Sequence, residues 1–408
     1  MTMKFRLSEM LEKASVSALF LALKASQSPR IMREKRAPLL SDEVVREPGG
    51  GSYAIFIKYY GRDFDAGQLA LLQSLRAERV NILVVFNREP TGQELEVARR
   101  YAWRVVIRKN VGRDFGAYRS AVLNLISSGA EVERLLFLND SVFYLPGRQL
   151  GEMVGRLVRS DRPVTGAFEN HARTHHLGSF AFAVSGDVYR DARFQAFWRN
   201  YRPYDLRQHA IRRGEIALSQ LYRKMNISAD VVFSLDRLGG QLDTRSFADI
   251  VSLLQTLPLS TRPSPVSLLK PPAELLDMMV DQEFDGDNRV YQARVSPFSK
   301  LMTGDAHPAG PAVPALAKRL LIDRLLADAA QGSQIHLAFG LYRRLLSVPL
   351  VKRDLLHQGV YAEHDIPNLL DDVAEDFRHE MIRDMVSRQR PIHIGRWRTF
   401  LRRHGFNG

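Results

Sequence analysis

The sequence predicts an α/β fold: a mostly parallel sheet flanked by helices, followed by a mainly α-helical C-terminal region. Three observations predict it. Apolar runs alternate with helical-period segments from Tyr53 to Phe168, and strands separated by helices of about ten to fifteen residues argue for right-handed βαβ units. The alternation stops after Phe233, where nine prolines between Pro258 and Pro314 break the chain into loops and short helices. From Ala315 onward the apolar period is helical.

The elements follow in order. Pro48-Gly-Gly-Gly-Ser52 reads as a flexible linker after a basic leader. Tyr53–Tyr60 reads as a strand closed by Gly61. Residues 66–79 place Ala66, Leu69, Leu72 and Leu75 at helical spacing. Val80–Phe86 is a second strand, and Thr91–Tyr101 a second helix in which Glu94 stands three residues after the candidate cap Thr91. Trp103–Ile107 is a third strand. A helix at 115–128, the strand Leu135–Leu138, a helix near 148–159 and strands at Val164–Phe168 and Gly178–Val184 continue the pattern. Helices around 188–201, 205–212 and 215–225 precede a last strand at Ala229–Phe233. The divisions expected are residues 1–50 (amphipathic leader and linker), 51–235 (α/β domain), 236–314 (Pro-rich connection) and 315–408 (helical region with a basic tail).

At 408 residues the chain is long enough for two or three domains. Its 45% hydrophobic and 25% charged content is that of a soluble globular protein. It has no cysteine, which excludes disulfides, thiolate zinc sites and a cysteine nucleophile. A net charge of +13 calls for an anionic partner. The basic residues are scattered and form no zinc-finger, RRM or helix-turn-helix pattern, so nucleic acid is not that partner. They concentrate instead at the ends: residues 1–36 hold eight Lys/Arg against three Glu, and the tail after Met381 seven Arg against one Asp. An anionic membrane surface or a phosphorylated substrate fits this distribution. No stretch reaches the roughly 18 consecutive apolar residues of a spanning helix. Met10, Leu11, Ala14, Val16, Leu19, Phe20 and Leu23 fall near helical spacing. They read either as an interfacial helix or as one packed on its own domain.

Open α/β sheets bind ligands beyond the carboxyl ends of their strands. Two clusters lie on that rim. Asn110-Val-Gly112-Arg113-Asp114 follows the strand at 103–107, and Asn139-Asp140-Ser141 ends the strand at 135–138. Gly112 permits a close turn, Arg113 can pair with a phosphate, and Asp114 either caps the next helix or receives a ribose or base donor. Asp140 can hold Mg²⁺ or Mn²⁺ against a diphosphate, or belong to a turn-forming Asn-Asp-Ser. Glu215, at a helix start in Gly214–Ser219, can act as a general base or simply compensate the helix dipole. His175 and His176 precede the strand at 178–184 and are candidates to line the same pocket. Neither a Gly-x-Gly-x-x-Gly motif nor a Walker lysine motif is present.

Several of these pieces, in order, carry a resemblance. Asn110–Tyr118, Leu138–Phe143, His176–Phe180, Phe194–Trp198, Glu215–Ser219 and Leu341–Leu356 together resemble the rhamnan synthesis protein F family, bacterial polysaccharide glycosyltransferases with a GT-A-like (Rossmann-like) domain. The similarity spans roughly residues 53–370 and is weakest in the Pro-rich middle. It implies inverting transfer of a sugar, often rhamnose, from a nucleotide-diphosphate donor to a glycan or lipid-linked acceptor, at the cytoplasmic face of the membrane. It places Asn139–Ser141 where GT-A enzymes carry their Asp-x-Asp metal motif and Glu215 at the base position. Ser141 departs from the pattern, standing where a second metal carboxylate is often found. Gly178 replaces a usual Gln and Phe180 a usual Tyr. The competing reading is a scaffold protein that keeps the fold without catalysis.

Overall fold

A computed structural model describes residues 3–36, 39–171, 174–262, 312–356 and 359–388. Within them the chain forms two compact units.

The first unit is built on a mostly parallel eight-stranded sheet. Helix α1 (Met3–Arg36) leads into β1 (Ser41–Val44) and β2 (Ser52–Lys58). Next come α2 (Ala66–Ala77), β3 (Asn81–Phe86), α3 (Gly92–Tyr101), β4 (Arg104–Ile107), α4 (Arg113–Ser127), β5 (Arg134–Asn139) and β6 (Val142–Tyr144). They are followed by α5 (Arg148–Arg159), β7 (Val164–Gly166), the two-residue segments β8 (Glu169–Asn170) and β9 (His176–Leu177), and β10 (Ala181–Ser185). Helices α6 (Gly186–Arg190), α7 (Ala192–Asn200) and α8 (Arg207–His209), a π-helix (Ala210–Ile216), α9 (Ala217–Lys224) and β11 (Asp230–Val231) complete it. The strand order is β1-β4-β3-β2-β5-β10-β7-β11. Strands β2 to β5 are parallel to one another, whereas β10 runs antiparallel to both β5 and β7.

Local sequence explains the helix starts. Thr91 and Glu94 form the expected capping box, and Asp65 with Gln68 forms a second. Residues of β3 and β5, and of β2 after Ser52, are buried throughout, as in a sheet covered on both faces. On one face Phe137 stacks on its cross-strand partner Phe182, with ring centroids 4.4 Å apart, and on Trp198 of α7 at 5.7 Å. Tyr118 of α4 meets Phe137 edge-on at 5.2 Å. This aromatic stack seats α4 and α7 on the sheet.

The leader expected over residues 1–50 is no separate segment. β1 adds an antiparallel edge strand to β4. The second half of α1 packs on the same unit: Ile31 joins Val111, Tyr204 and Leu206 in an apolar cluster that Phe20 and Leu23 flank. Glu34 is buried against Arg108, at 3.3 Å, and supplies the countercharge this buried guanidinium needs. Of the apolar positions expected to form one face, the side chains of Met10 and Leu11 lie outside the described residues.

The second unit is helical, with helices Leu235–Asp243, Phe247–Leu253, Ala312–Ala330, Phe339–Leu346 and Glu375–Ser387. Most of the Pro-rich stretch, and Arg390 to Arg403 of the basic tail, lie outside the described residues. Among the described residues no helix is long and apolar enough to cross a membrane.

Candidate functional site

The Asn110–Asp114 turn is held from behind by α1. Gly112 has φ +79°, and a Cβ there would lie 2.2 Å from Pro203 Cβ and 2.6 Å from Pro203 Cα. Only glycine fits. Its N–H donates to Asp205 Oδ1 at 2.5 Å. Asp205 is fixed in turn by Arg30, at 2.8 Å, and by its own N–H to Gln27 Oε1 at 2.7 Å. Arg30 also donates to the Asn110 carbonyl, and Arg108 to the Val111 carbonyl at 2.8 Å. The Gly112 N–H is thus bound to a carboxylate of the chain itself. Arg113 remains available. It is half-buried with φ +55°, at the first residue of α4, and no ion pair engages it among the described residues.

Asp140 has a different task from the one its position implied. It is 1% exposed, and its Oδ2 accepts from the Tyr59 N–H at 2.7 Å and the Tyr60 N–H at 2.6 Å. The register that sets Ile57 opposite Asn139 brings these amides to it. Fully buried Lys58 places its ammonium 3.9 Å from the same oxygen and 3.6 Å from Glu94, which Arg88 grips with two hydrogen bonds. Burial pulls the Lys58 pKa down, while Asp140 and Glu94 oppose that shift. One oxygen of this carboxylate is thus committed to two amides, with the Lys58 ammonium facing it. Asn139 is also engaged, accepting from the Ser141 N–H at 3.0 Å.

What the structure does bring together is a hydrogen-bonded chain across the sheet's rim. Asn139 Nδ2 donates to Asp114 Oδ2 at 3.3 Å and to the Tyr118 hydroxyl at 3.2 Å. Tyr118 donates to the Ser179 carbonyl at 2.9 Å, and Ser179 Oγ donates to Glu215 Oε1 at 2.5 Å. His176 stands 3.7 Å from Glu215 Oε2. Its Nδ1 donates to the Thr174 carbonyl at 2.7 Å, and Nε2 is turned to the carboxylate. Burial, with Asp114 adding to it, raises the Tyr118 pKa well above its ordinary value, so the link stays a neutral hydroxyl.

Glu215 owes its placement to a local irregularity. It sits in the π-helix, where Gly214 lies so close to Phe115 that a Cβ would come within 2.7 Å of the ring. Such π segments re-aim side chains and often occur at functional sites. Glu215 keeps 22% of its side chain exposed. Beneath it is a cavity of about 10 Å³, lined by Phe115, Ser179, Phe182, Ser219 and Tyr222 among others. That is close to the space one water needs.

Of the predicted residues, Asp114, Asn139, His176 and Glu215 join this network. Asn110 and Gly112 serve the turn. His175 pairs with Glu169 at 2.7 Å. Sequence reasoning assigned no role to Ser179 or Tyr118. Tyr118 lies four residues after Asp114, one turn along the same helix face, which was the available signal. Ser179 is brought in by a turn at residues 179–180 where a strand was expected; β10 begins only at Ala181.

No family model matches the chain. The uncharacterized protein y4gN of Sinorhizobium fredii is 28% identical over 193 residues, 46% of this chain and 50% of the relative. The chain thus aligns with about half the length of the curated relative it matches. Among solved structures, glycosyltransferase GlyE of Streptococcus pneumoniae gives a TM-score of 0.29 at 7% identity, covering 69% of this chain and 64% of its own. Glucosyl-3-phosphoglycerate synthase of Mycobacterium tuberculosis, in complex with phosphoglyceric acid, gives 0.25 at 12%, covering 45% and 70%. Mannosyltransferase PcManGT of Pyrobaculum calidifontis, in complex with GDP-Man and Mn²⁺, gives 0.25 at 12%, covering 92% and 97%. Likeness at this level transfers no activity; the chain's own topology and side chains carry the functional reading.

Proposed function

We propose that this chain is a GT-A-like glycosyltransferase of the rhamnan synthesis protein F kind, moving a sugar, rhamnose by that resemblance, from a nucleotide-diphosphate donor to a glycan or lipid-linked acceptor. The observation that carries the reading is the Asp114–Asn139–Tyr118–Ser179–Glu215 chain. It ties the cluster expected to hold the donor to the carboxylate expected to act as base. In an inverting transfer the acceptor hydroxyl gives its proton to Glu215 and its oxygen bonds to the sugar C1. The C1–O bond breaks with its electron pair leaving on the diphosphate. Arg113, at the positive end of α4, is the cation placed to meet that charge. Asp114 is the acceptor placed for a donor hydroxyl. A divalent metal, where one is used, would supply charge neutralisation to the diphosphate.

The test is Glu215→Gln assayed with a panel of radiolabelled UDP, GDP, dTDP and CMP sugars. The expected loss in turnover is about 10²–10⁴-fold, the usual worth of a general base, with nucleotide binding retained. Wild-type turnover in that variant sinks the assignment. The second reading, a binding protein of polysaccharide assembly without turnover, draws on Asp140, whose carboxylate is spent on Tyr59 and Tyr60. It predicts thermal stabilisation by a nucleotide sugar with no transfer by the wild type.

A further inference from the structure

The second unit holds a side-chain line to which sugar transfer gives no task. Ser333 opens the short helix Gln334–Leu337, and Asp354 lies in the turn after the strand Leu350–Lys352. His336 stands between them. Ser333 Oγ is 2.8 Å from His336 Nδ1, and His336 Nε2 is 3.0 Å from Asp354 Oδ1.

Proton positions along this line follow from the groups themselves. An ionised carboxylate only accepts, so Nε2 carries the ring proton and donates it to Asp354. In the neutral imidazole Nδ1 is then the acceptor, and the Ser333 hydroxyl donates to it. A carboxylate that fixes the tautomer, a ring nitrogen held as base and a hydroxyl bonded to that nitrogen are the three parts of an activated nucleophile.

Local structure turns Ser333 to this use. A serine at a helix start ordinarily gives its oxygen to a backbone N–H of the first turn. Ser333 makes no such cap bond. Its carbonyl accepts the His336 and Leu337 N–H groups, both at 2.9 Å, while its hydroxyl goes to the imidazole. Spacing of three residues sets Ser333 and His336 on one helix face. Between them Gln334 is buried and accepts the Tyr342 hydroxyl at 2.9 Å, which anchors the segment. His336 keeps 19% of its side chain exposed and Ser333 is half-buried, so the ring is shielded while the hydroxyl is not closed off.

We propose that Ser333 and His336, with Asp354 positioning the imidazole, form a second catalytic site at which Ser333 takes the acyl group of an ester. Ser333 Oγ bonds to the acyl carbon while its proton passes to His336 Nδ1. The bond from that carbon to the ester oxygen breaks, and the leaving alcohol keeps the electron pair and takes the proton from Nδ1. Water then bonds to the acyl carbon and gives a proton to Nδ1. The bond to Oγ breaks, Oγ regains that proton, and the acid is released. Neither Glu215 nor a sugar donor takes part.

The full chain is incubated with diisopropyl fluorophosphate, and peptide mass mapping follows the adduct. The Oγ–P bond forms, the P–F bond breaks with fluoride leaving, and Nδ1 takes the proton. The wild type should carry the adduct on Ser333 and on no other serine at a comparable rate. His336→Gln, verified as folded by circular dichroism, should react about 10²–10⁴-fold more slowly, the worth of a general base. Asp354→Ala should slow the reaction about tenfold or more and Asp354→Glu should recover the loss, because a misplaced base is a poor one. Release of p-nitrophenolate from p-nitrophenyl acetate should fall about tenfold or more in Ser333→Ala. No adduct on Ser333 in the wild type overturns the proposal without recourse to any variant. So does an unchanged rate in folded His336→Gln or in folded Asp354→Ala, or equal ester cleavage by wild type and Ser333→Ala; the three residues are then a structural tie.

Discussion

Ser179 Oγ donates to Glu215 Oε1 at 2.5 Å, from a turn that the Tyr118 hydroxyl fixes by bonding to the Ser179 carbonyl. The carboxylate is thus oriented by a residue with no acid–base chemistry of its own. Ser179→Ala should lower turnover by about tenfold, well short of the loss expected for Glu215→Gln, because orientation is lost while the base remains. Unchanged turnover in a folded Ser179→Ala protein would show that Ser179 does not position the base.

Asp140→Asn tests whether that carboxylate is structural. It keeps an acceptor for the Tyr59 and Tyr60 amides but removes the charge facing buried Lys58. The expected cost is about 1–3 kcal/mol in urea unfolding, the range for weakening a buried charged hydrogen bond. A variant with wild-type stability but lost Mn²⁺-dependent activity would return Asp140 to the metal.

Gly112→Ala probes the turn. A methyl group there meets Pro203 backbone and side-chain atoms at 2.2–2.8 Å, in a residue whose φ is +79°. Left-handed strain and overpacking together predict a loss of at least about 2 kcal/mol. A thermal melt matching the wild type would mean the turn relaxes freely.

His209 gives a pH dependence with a defined sign. Burial, the largest cause, lowers its pKa from 6.5 to about 4, with Lys24 and Arg213 adding to the effect. Its Nδ1 is buried without a hydrogen-bond partner among the described residues, so the native state resists taking the proton. Between these two pKa values the unfolded chain binds more protons than the native one. The contribution is complete above the unfolded value and is lost as pH falls toward about 4. The stability difference between wild type and His209→Gln should therefore shrink from pH of about 7 to about 5 in urea melts. A difference constant across that range rules out the shifted histidine.

The helices and strands of the first unit were legible because each rests on local pattern. Apolar runs such as Asn81–Phe86 and the Thr91–Glu94 capping box declare themselves within a few residues. The antiparallel β10 was not legible, because pairing direction depends on partners distant in sequence. The π-helix escaped notice for a related reason: it answers to the Gly214–Phe115 contact between two separate helices. At the site, Asp114, Asn139 and Glu215 were visible as polar residues at element ends. Asp140 looked like their equal, and nothing in Asn139-Asp140-Ser141 reveals that the Tyr59 and Tyr60 amides bind it.

The sequence by itself determined a mostly parallel sheet with helices on it, a helical C-terminal part and the rim on which polar residues would gather. Those depend on periodicity and strand-end position, which are properties of short segments. Only the tertiary structure decided which carboxylate is buried in the fold and which stays partly exposed. Asp140 meets two amides and a lysine and is 1% exposed, whereas Glu215 meets the Ser179 hydroxyl and His176 and keeps 22% of its side chain exposed. The chemical fate of a carboxylate is set by what desolvates and what donates to it, and those groups come from other parts of the chain.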